Sequence, residues 1–252
     1  MSSSANLLHC LPGKCRRGSK PRCHLLTHGS PTQVATRLTG IIGPWGSVTT
    51  ADKWMPDGFD DIAEAQLHDA TRLLPKTVCN NLQNWWMAVR ATTPNWDIAS
   101  TCTIEGKKGL LLVEAKAHDE ELMGEVAGKS INANASCGSL KNHAQIDNAI
   151  QQANNALNAV VPGWNLSRNS HYQMSNRFAW AWKLTDLGIP VILVYLGFKY
   201  AVEMSDVGNP FIDHLDWEKL VLTHSKPLFP AHVWDRKWIV RGQAFIPLIR
   251  SI

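Results

Sequence analysis

Long apolar runs are missing from this chain. The nearest to one, residues 189–198, is interrupted by Pro190 and stops well short of the roughly 18–20 residues that a membrane-crossing helix needs. A membrane-spanning helix is therefore excluded. Cysteine is scarce, with six in 252 residues and no CxxC pair, which excludes a disulfide-built scaffold and predicts a reduced, cytoplasmic protein. Phosphate-loop, Rossmann glycine, HExxH and GxSxG signatures are absent as well, so nucleotide hydrolases, dinucleotide enzymes, zinc proteases and serine hydrolases lose their usual markers. No internal repeat is visible.

Acid is missing from one end. Six of the 25 Lys/Arg and none of the 21 Asp/Glu fall in residues 1–51, so the rest of the chain holds two more acids than bases. The net charge of +4 thus comes from the amino-terminal segment and is no sign of a basic groove on the body. Residues 1–33 are rich in Ser, Gly, Pro and base without a helical or strand period, which predicts a disordered basic arm ahead of a folded domain over 52–252. Cys10, Cys15, Cys23, His24 and His28 carry zinc-type donors but not the spacing of a compact zinc knuckle.

From residue 52 the pattern becomes regular. Residues 59–74 place Ile62, Ala65, Ala70 and Leu73 near helical spacing, open on Asp60 and Asp61, and stop at Pro75, predicting a first helix. A second is expected over 76–89. Two strand-like runs, 96–104 and 110–118, flank Glu105-Gly106-Lys107-Lys108-Gly109 and should pair as an antiparallel hairpin. An amphipathic helix is expected over 142–160 and another over 172–187, the latter leading past Gly188 into an apolar strand over 191–198 that reads as central and covered on both faces. A helix near 213–223 and a strand near 238–249 complete the tail.

The chemistry sits in the hairpin. Side chains alternate along a strand, so Glu114, Lys116 and His118 share one face and Leu111, Val113, Ala115 and Ala117 the other. With Gly106 and Lys107 as the loop, Asp97 faces Lys116 and Ala99 faces Glu114, which puts Asp97, Glu114 and Lys116 on one face. Two carboxylates and an ammonium form a cation site with room for water. Hard oxygen ligands suit Mg²⁺, and the charged amine suits an attacking water or a transition state on phosphorus.

Asp97, Glu114 and Lys116 on adjacent strands, followed by a helix and a buried strand, resemble the PD-(D/E)XK nuclease superfamily. The resemblance covers residues 60–198 and is to a member of bacterial type. It implies an α/β restriction-endonuclease-like fold, a three-layer α/β/α core around a central mixed sheet. It also implies a Mg²⁺- or Mn²⁺-dependent nuclease, cutting nucleic acid, with DNA the leading substrate, and a homodimer among the expected assemblies. In this chain Asp97 and Glu114 are then metal ligands, Lys116 the catalytic lysine, and Glu64 the helical acid that completes the metal site, with Asp60 and Asp61 as competitors. Gln173, Arg177 and His118 are candidates for contact with the scissile phosphate. The alternative is an inactive nucleic-acid or protein interaction module on the same fold. The plainer readings are an edge hairpin whose charges only solubilise it, an exposed helix stripe for Gln173 and Arg177, and core packing for the eleven tryptophans.

Overall fold

A computed structural model describes residues 8–89 and 91–252. Among them the chain forms seven α-helices: α1 (Ser19–Thr27), α2 (Pro31–Ile42), α3 (Lys76–Trp86), α4 (Glu120–Met123), α5 (Cys137–Val160), α6 (Tyr172–Asp186) and α7 (His214–Ser225). The strands are β1 (Trp54–Met55), β2 (Ala65–Gln66), β3 (Asn95–Trp96), β4 (Ile98–Ile104), β5 (Lys107–Lys116), β6 (Val191–Gly197), β7 (Trp238–Val240) and β8 (Gln243–Ser251). Six of them make one mixed sheet in the order β1-β4-β5-β6-β8-β7, while β2 and β3 form a small sheet of their own. No helix among the described residues is long and apolar enough to cross a membrane.

Strand alternation separates the two faces of the sheet. Leu110 and Leu112 of β5 with Val191, Leu193 and Tyr195 of β6 belong to one apolar cluster, which takes in α3, α5, α6 and α7. Leu111, Val113 and Ala115 with Ile192, Val194 and Leu196 belong to the other, which takes in Cys23 of α1 and the Val34, Leu38, Ile41 stripe of α2. The central strands are covered on both sides, as continuous apolar runs require. Nine tryptophans are buried; Trp85, Trp86, Trp180 and Trp182 pack on one another between α3 and α6. Aromatic packing accounts for them without stacked bases.

Three expectations are corrected. The segment over 1–33 is not a free arm where it is described: α1 begins at Ser19, buries Cys23, His24 and Thr27, and is tied to the body by Arg17–Asp206 and Arg22–Glu203 ion pairs. Residues 1–7 of that arm lie outside the described residues. α2 follows from Ser30, which forms a capping box with Gln33 and precedes Pro31 at the first helical position. Cys23 faces the core and His24 Nδ1 bonds the Gly58 carbonyl oxygen at 2.8 Å, so both serve packing rather than a zinc site.

Residues 59–74 form turns and the short β2 instead of a helix. Their acids are engaged elsewhere: Asp61 Oδ1 accepts from the Ala63 amide at 3.1 Å, and Arg72 bridges Asp61 and Asp57. Local bonds from Asp side chains compete with helical ones, and the apolar residues still reach the core, Ala65 and Leu67 fully buried. The carboxy-terminal strand is in turn two strands, β7 and β8, joined through Arg241 and Gly242, both at positive φ.

Candidate active site

The β4–β5 hairpin turns on Glu105 and Gly106, at φ 49° and 77°, the signature of a two-residue type I′ connection. Ile98 pairs with Val113, so one step further Asp97 stands opposite Glu114, not Lys116. The register differs from expectation by two residues along β5, an even shift that leaves Glu114 and Lys116 on the face expected of them. Asp97 lies in the bend between β3 and β4, where the chain leaves the small sheet for the large one. Across the small sheet Ala65 pairs with Trp96, so the next step sets Glu64 opposite Asp97. Glu64 thus arrives at the site from a strand edge and not from a helix. Asp97 is flanked by one acid from each sheet.

Each acid has defined partners. Asp97 Oδ2 accepts from the Ala115 amide at 2.7 Å. Glu64 Oε2 accepts from Asn95 Nδ2 at 2.9 Å, and its Oε1 is 2.8 Å from Lys20 Nζ. Glu114 is almost fully buried: its Oε1 accepts from Lys116 Nζ and Gln173 Nε2, and its Oε2 from Arg177 Nε, each at 2.5 Å. The Arg177 guanidinium lies over the Trp96 ring, 4.6 Å from its centroid. Gln173 and Arg177, one turn apart on α6, are therefore not an exposed stripe: both reach the site, where they hold Glu114. Lys116 Nζ also stands 2.6 Å from Glu125 Oε1, outside the angles of a good hydrogen bond.

No family model, curated protein or solved structure matches this chain.

The charge distribution follows from burial. Burial and the neighbouring Glu114 charge push Asp97 up to about 7. Glu125 is likewise pushed up to about 7, chiefly by burial, with Lys116 opposing. Burial would raise Glu114 too, but Arg177 and Lys116 outweigh it and hold that carboxyl below its ordinary value. Burial alone would discharge Lys116; instead Glu114, Glu125 and Asp97 keep it an ammonium. Among the described residues Asp97, Glu114 and Glu125 face two buried cations, Lys116 and Arg177, leaving carboxylate in excess.

That excess, and the hard oxygen donors that carry it, fit a divalent cation at Asp97, Glu114 and Glu64. Among the described residues no three His, Cys, Asp or Glu side chains are already gathered as ligands, because the oxygens of Glu114 and Glu64 are turned to Lys116, Gln173, Arg177 and Lys20. His118 sits past the strand end against Gly208, and its Nδ1 makes no hydrogen bond among the described residues. Asp60 is exposed and Asp61 is paired with Arg72. A cleft of about 300 Å³, lined among others by Trp86, Thr93, Lys129, Tyr172, Gln173 and Arg177, opens beside the residues that hold Glu114. A larger groove of about 660 Å³ runs along α7 between Leu215 and Phe229; Asp97, Glu114, Glu125 and Glu64 do not line it, and chemistry rather than size decides between the two.

Glu125, Lys20 and the buried Tyr195, which pairs with Glu114 across β5 and β6, escaped the sequence reading. Glu125 lies in a polar insert without period, and Lys20 in a segment whose position depends on distant partners.

Beside the Lys116 end lies a pair of buried histidines, His171 and His224, with ring centroids 4.7 Å apart. Burial, His171 and Lys116 push His224 down to about 4 from an ordinary 6.5, and burial lowers His171 as well. Protons then bind the unfolded chain more readily than the folded one. The stability this withholds from acid is complete above about pH 6.5 and falls towards pH 4, by up to about 3 kcal/mol from His224. Asp97 and Glu125, pushed up to about 7, change stability in the opposite sense over the same range, so the His224 contribution is read as a difference between chains: in urea unfolding at pH 7 and pH 4.5, His224→Gln should fare better than the wild type on acidification. Identical pH dependence in the two chains would assign acid sensitivity to other groups.

Proposed function

We propose that this chain is a metal-dependent nuclease of the PD-(D/E)XK type, hydrolysing phosphodiester bonds of nucleic acid, with DNA the leading substrate. The observation that carries the reading is the place of Asp97, between Glu64 of one sheet and Glu114 of the other, with Lys116 two residues along the same strand. A mixed sheet covered on both faces by helices agrees with the three-layer restriction-endonuclease-like core.

Mg²⁺ or Mn²⁺ held by Asp97, Glu114 and Glu64 would supply a water of lowered pKa and positive charge for the phosphodiester. The remaining work falls to the chain's own residues. Arg177 and Gln173 fix the plane of the Glu114 carboxylate from the α6 side. Lys116, kept charged by Glu114 and Glu125, is suited to steady negative charge developing on a phosphate oxygen, and unsuited to accept a proton. The Ala115 amide orients Asp97, leaving Oδ1 for a ligand.

One observation favours the second reading, an inactive nucleic-acid or protein interaction module: Glu114 already accepts from three donors, which leaves it little capacity for a metal. Incubating the protein with plasmid, linear duplex, single-stranded DNA and RNA, in Mg²⁺, Mn²⁺ or EDTA, separates the two. Cutting that EDTA abolishes is the expected result and names the substrate class. Binding without cutting in either metal would establish the module.

A further inference from the structure

Lys20 is placed where the acidic site meets α1. Its ammonium is 2.8 Å from Glu64 Oε1, and Asp97 adds to the field that keeps it charged. Asp97 itself has the Ala115 amide as its hydrogen-bond partner. The lysine is thus a cation at the edge of the site that Glu64 and Asp97 share. Resting on the metal-site reading above, we propose that Lys20 is a built-in counter-cation of that edge, and that a divalent ion must displace its ammonium to bind Glu64 and Asp97.

The surroundings restrict the exchange to one side chain. α1 is anchored on both sides of Lys20. Arg17 pairs with Asp206 and Arg22 with Glu203, Ser19 Oγ donates to Glu121 Oε1 at 3.2 Å, and Cys23 and His24 are buried. The Lys20 side chain is one-third exposed and ends a flexible stem, so it can leave Glu64 for water while the helix stays in place. A partly exposed ammonium–carboxylate pair is weak, whereas a divalent ion on hard oxygens is held more strongly. Competition therefore tunes metal affinity without abolishing it, and α1 becomes part of the site.

Titration of the intact chain with Mn²⁺ by calorimetry tests this without reference to activity. Lys20→Met should tighten Mn²⁺ binding about two- to fivefold at low salt. Arg22→Met, which removes a positive charge from the same helix at a residue paired with Glu203, should leave it within error. Lys20→Gln, with a different side chain and the same loss of charge, should reproduce the tightening if methionine disturbs folding. Binding that Asp97→Asn weakens but Lys20→Met leaves unchanged or weakens would overturn the role of Lys20 while sparing the metal site. Absence of Mn²⁺ binding in the wild type, Lys20→Met and Lys20→Gln alike would overturn both.

Discussion

Arg177→Met should lower the unfolding free energy by about 3–5 kcal/mol, the range for breaking one side of a buried ion pair. Glu114 is 2% exposed at its side chain and receives Arg177 Nε at 2.5 Å. Methionine keeps most of the stem that packs over Trp96 but removes the charge from that ring and from the carboxylate. Lys116 cannot fill the gap, since it is shared with Glu125. Urea unfolding gives the difference, and a second substitution identifies its source. In the Arg177→Met background Glu114→Gln removes the stranded charge, so the double variant should regain much of the loss and the cycle should show strong coupling. A loss below about 1 kcal/mol, the scale of an exposed pair, would mean that water reaches Glu114 and that the site is more open than its burial indicates.

The parts of this site that are legible in the sequence are those set by period. Glu114 and Lys116 share a face because side chains alternate along β5, a parity that survives a wrong choice of turn, and Asp97, in the bend before β4, is brought to them by the hairpin register. Glu105 and Gly106 form the turn in place of Gly106 and Lys107, so Asp97 meets Glu114 where Lys116 was expected. Glu64 stands next to Asp97 from a strand edge where a helix was expected. The apolar spacing over 59–74 is real, but Asp57 and Asp61 engage Arg72, and Ala65 pairs with Trp96; tertiary bonds outweigh a weak local preference. α5 starts at Cys137, earlier than its apolar stripe shows, because Ser136 caps it through the Ser139 amide. α1 has no readable stripe at all. It is ordered by Asp206 and Glu203, acids near the far end of the chain, and a segment whose partners are remote looks like a loose arm when read locally.

The proposed chemistry makes its largest demand on Lys116. Lys116→Ala should reduce the metal-dependent cleavage rate about 10²–10³-fold at saturating substrate, the usual cost of removing one donor aimed at developing negative charge, with a much smaller change in KM. The same substitution strips from Glu125 the one cation paired with it among the described residues, and one of two from Glu114, so it should also destabilise the fold, and lost activity alone would be ambiguous. Glu125→Gln resolves the ambiguity. Glu125 lies outside the proposed ligand set, and with it neutral the Lys116→Ala chain holds one buried carboxylate fewer. The double variant should recover stability in thermal melts while remaining as slow as Lys116→Ala alone. A folded double variant that cuts at the wild-type rate would remove Lys116 from the chemistry and leave it a structural counter-ion between two acids. One that melts like the wild type and stays inactive, with EDTA-sensitive cutting in the parent, would tie the ammonium to the transition state, because folding and catalysis would then have been separated at a single pair of residues.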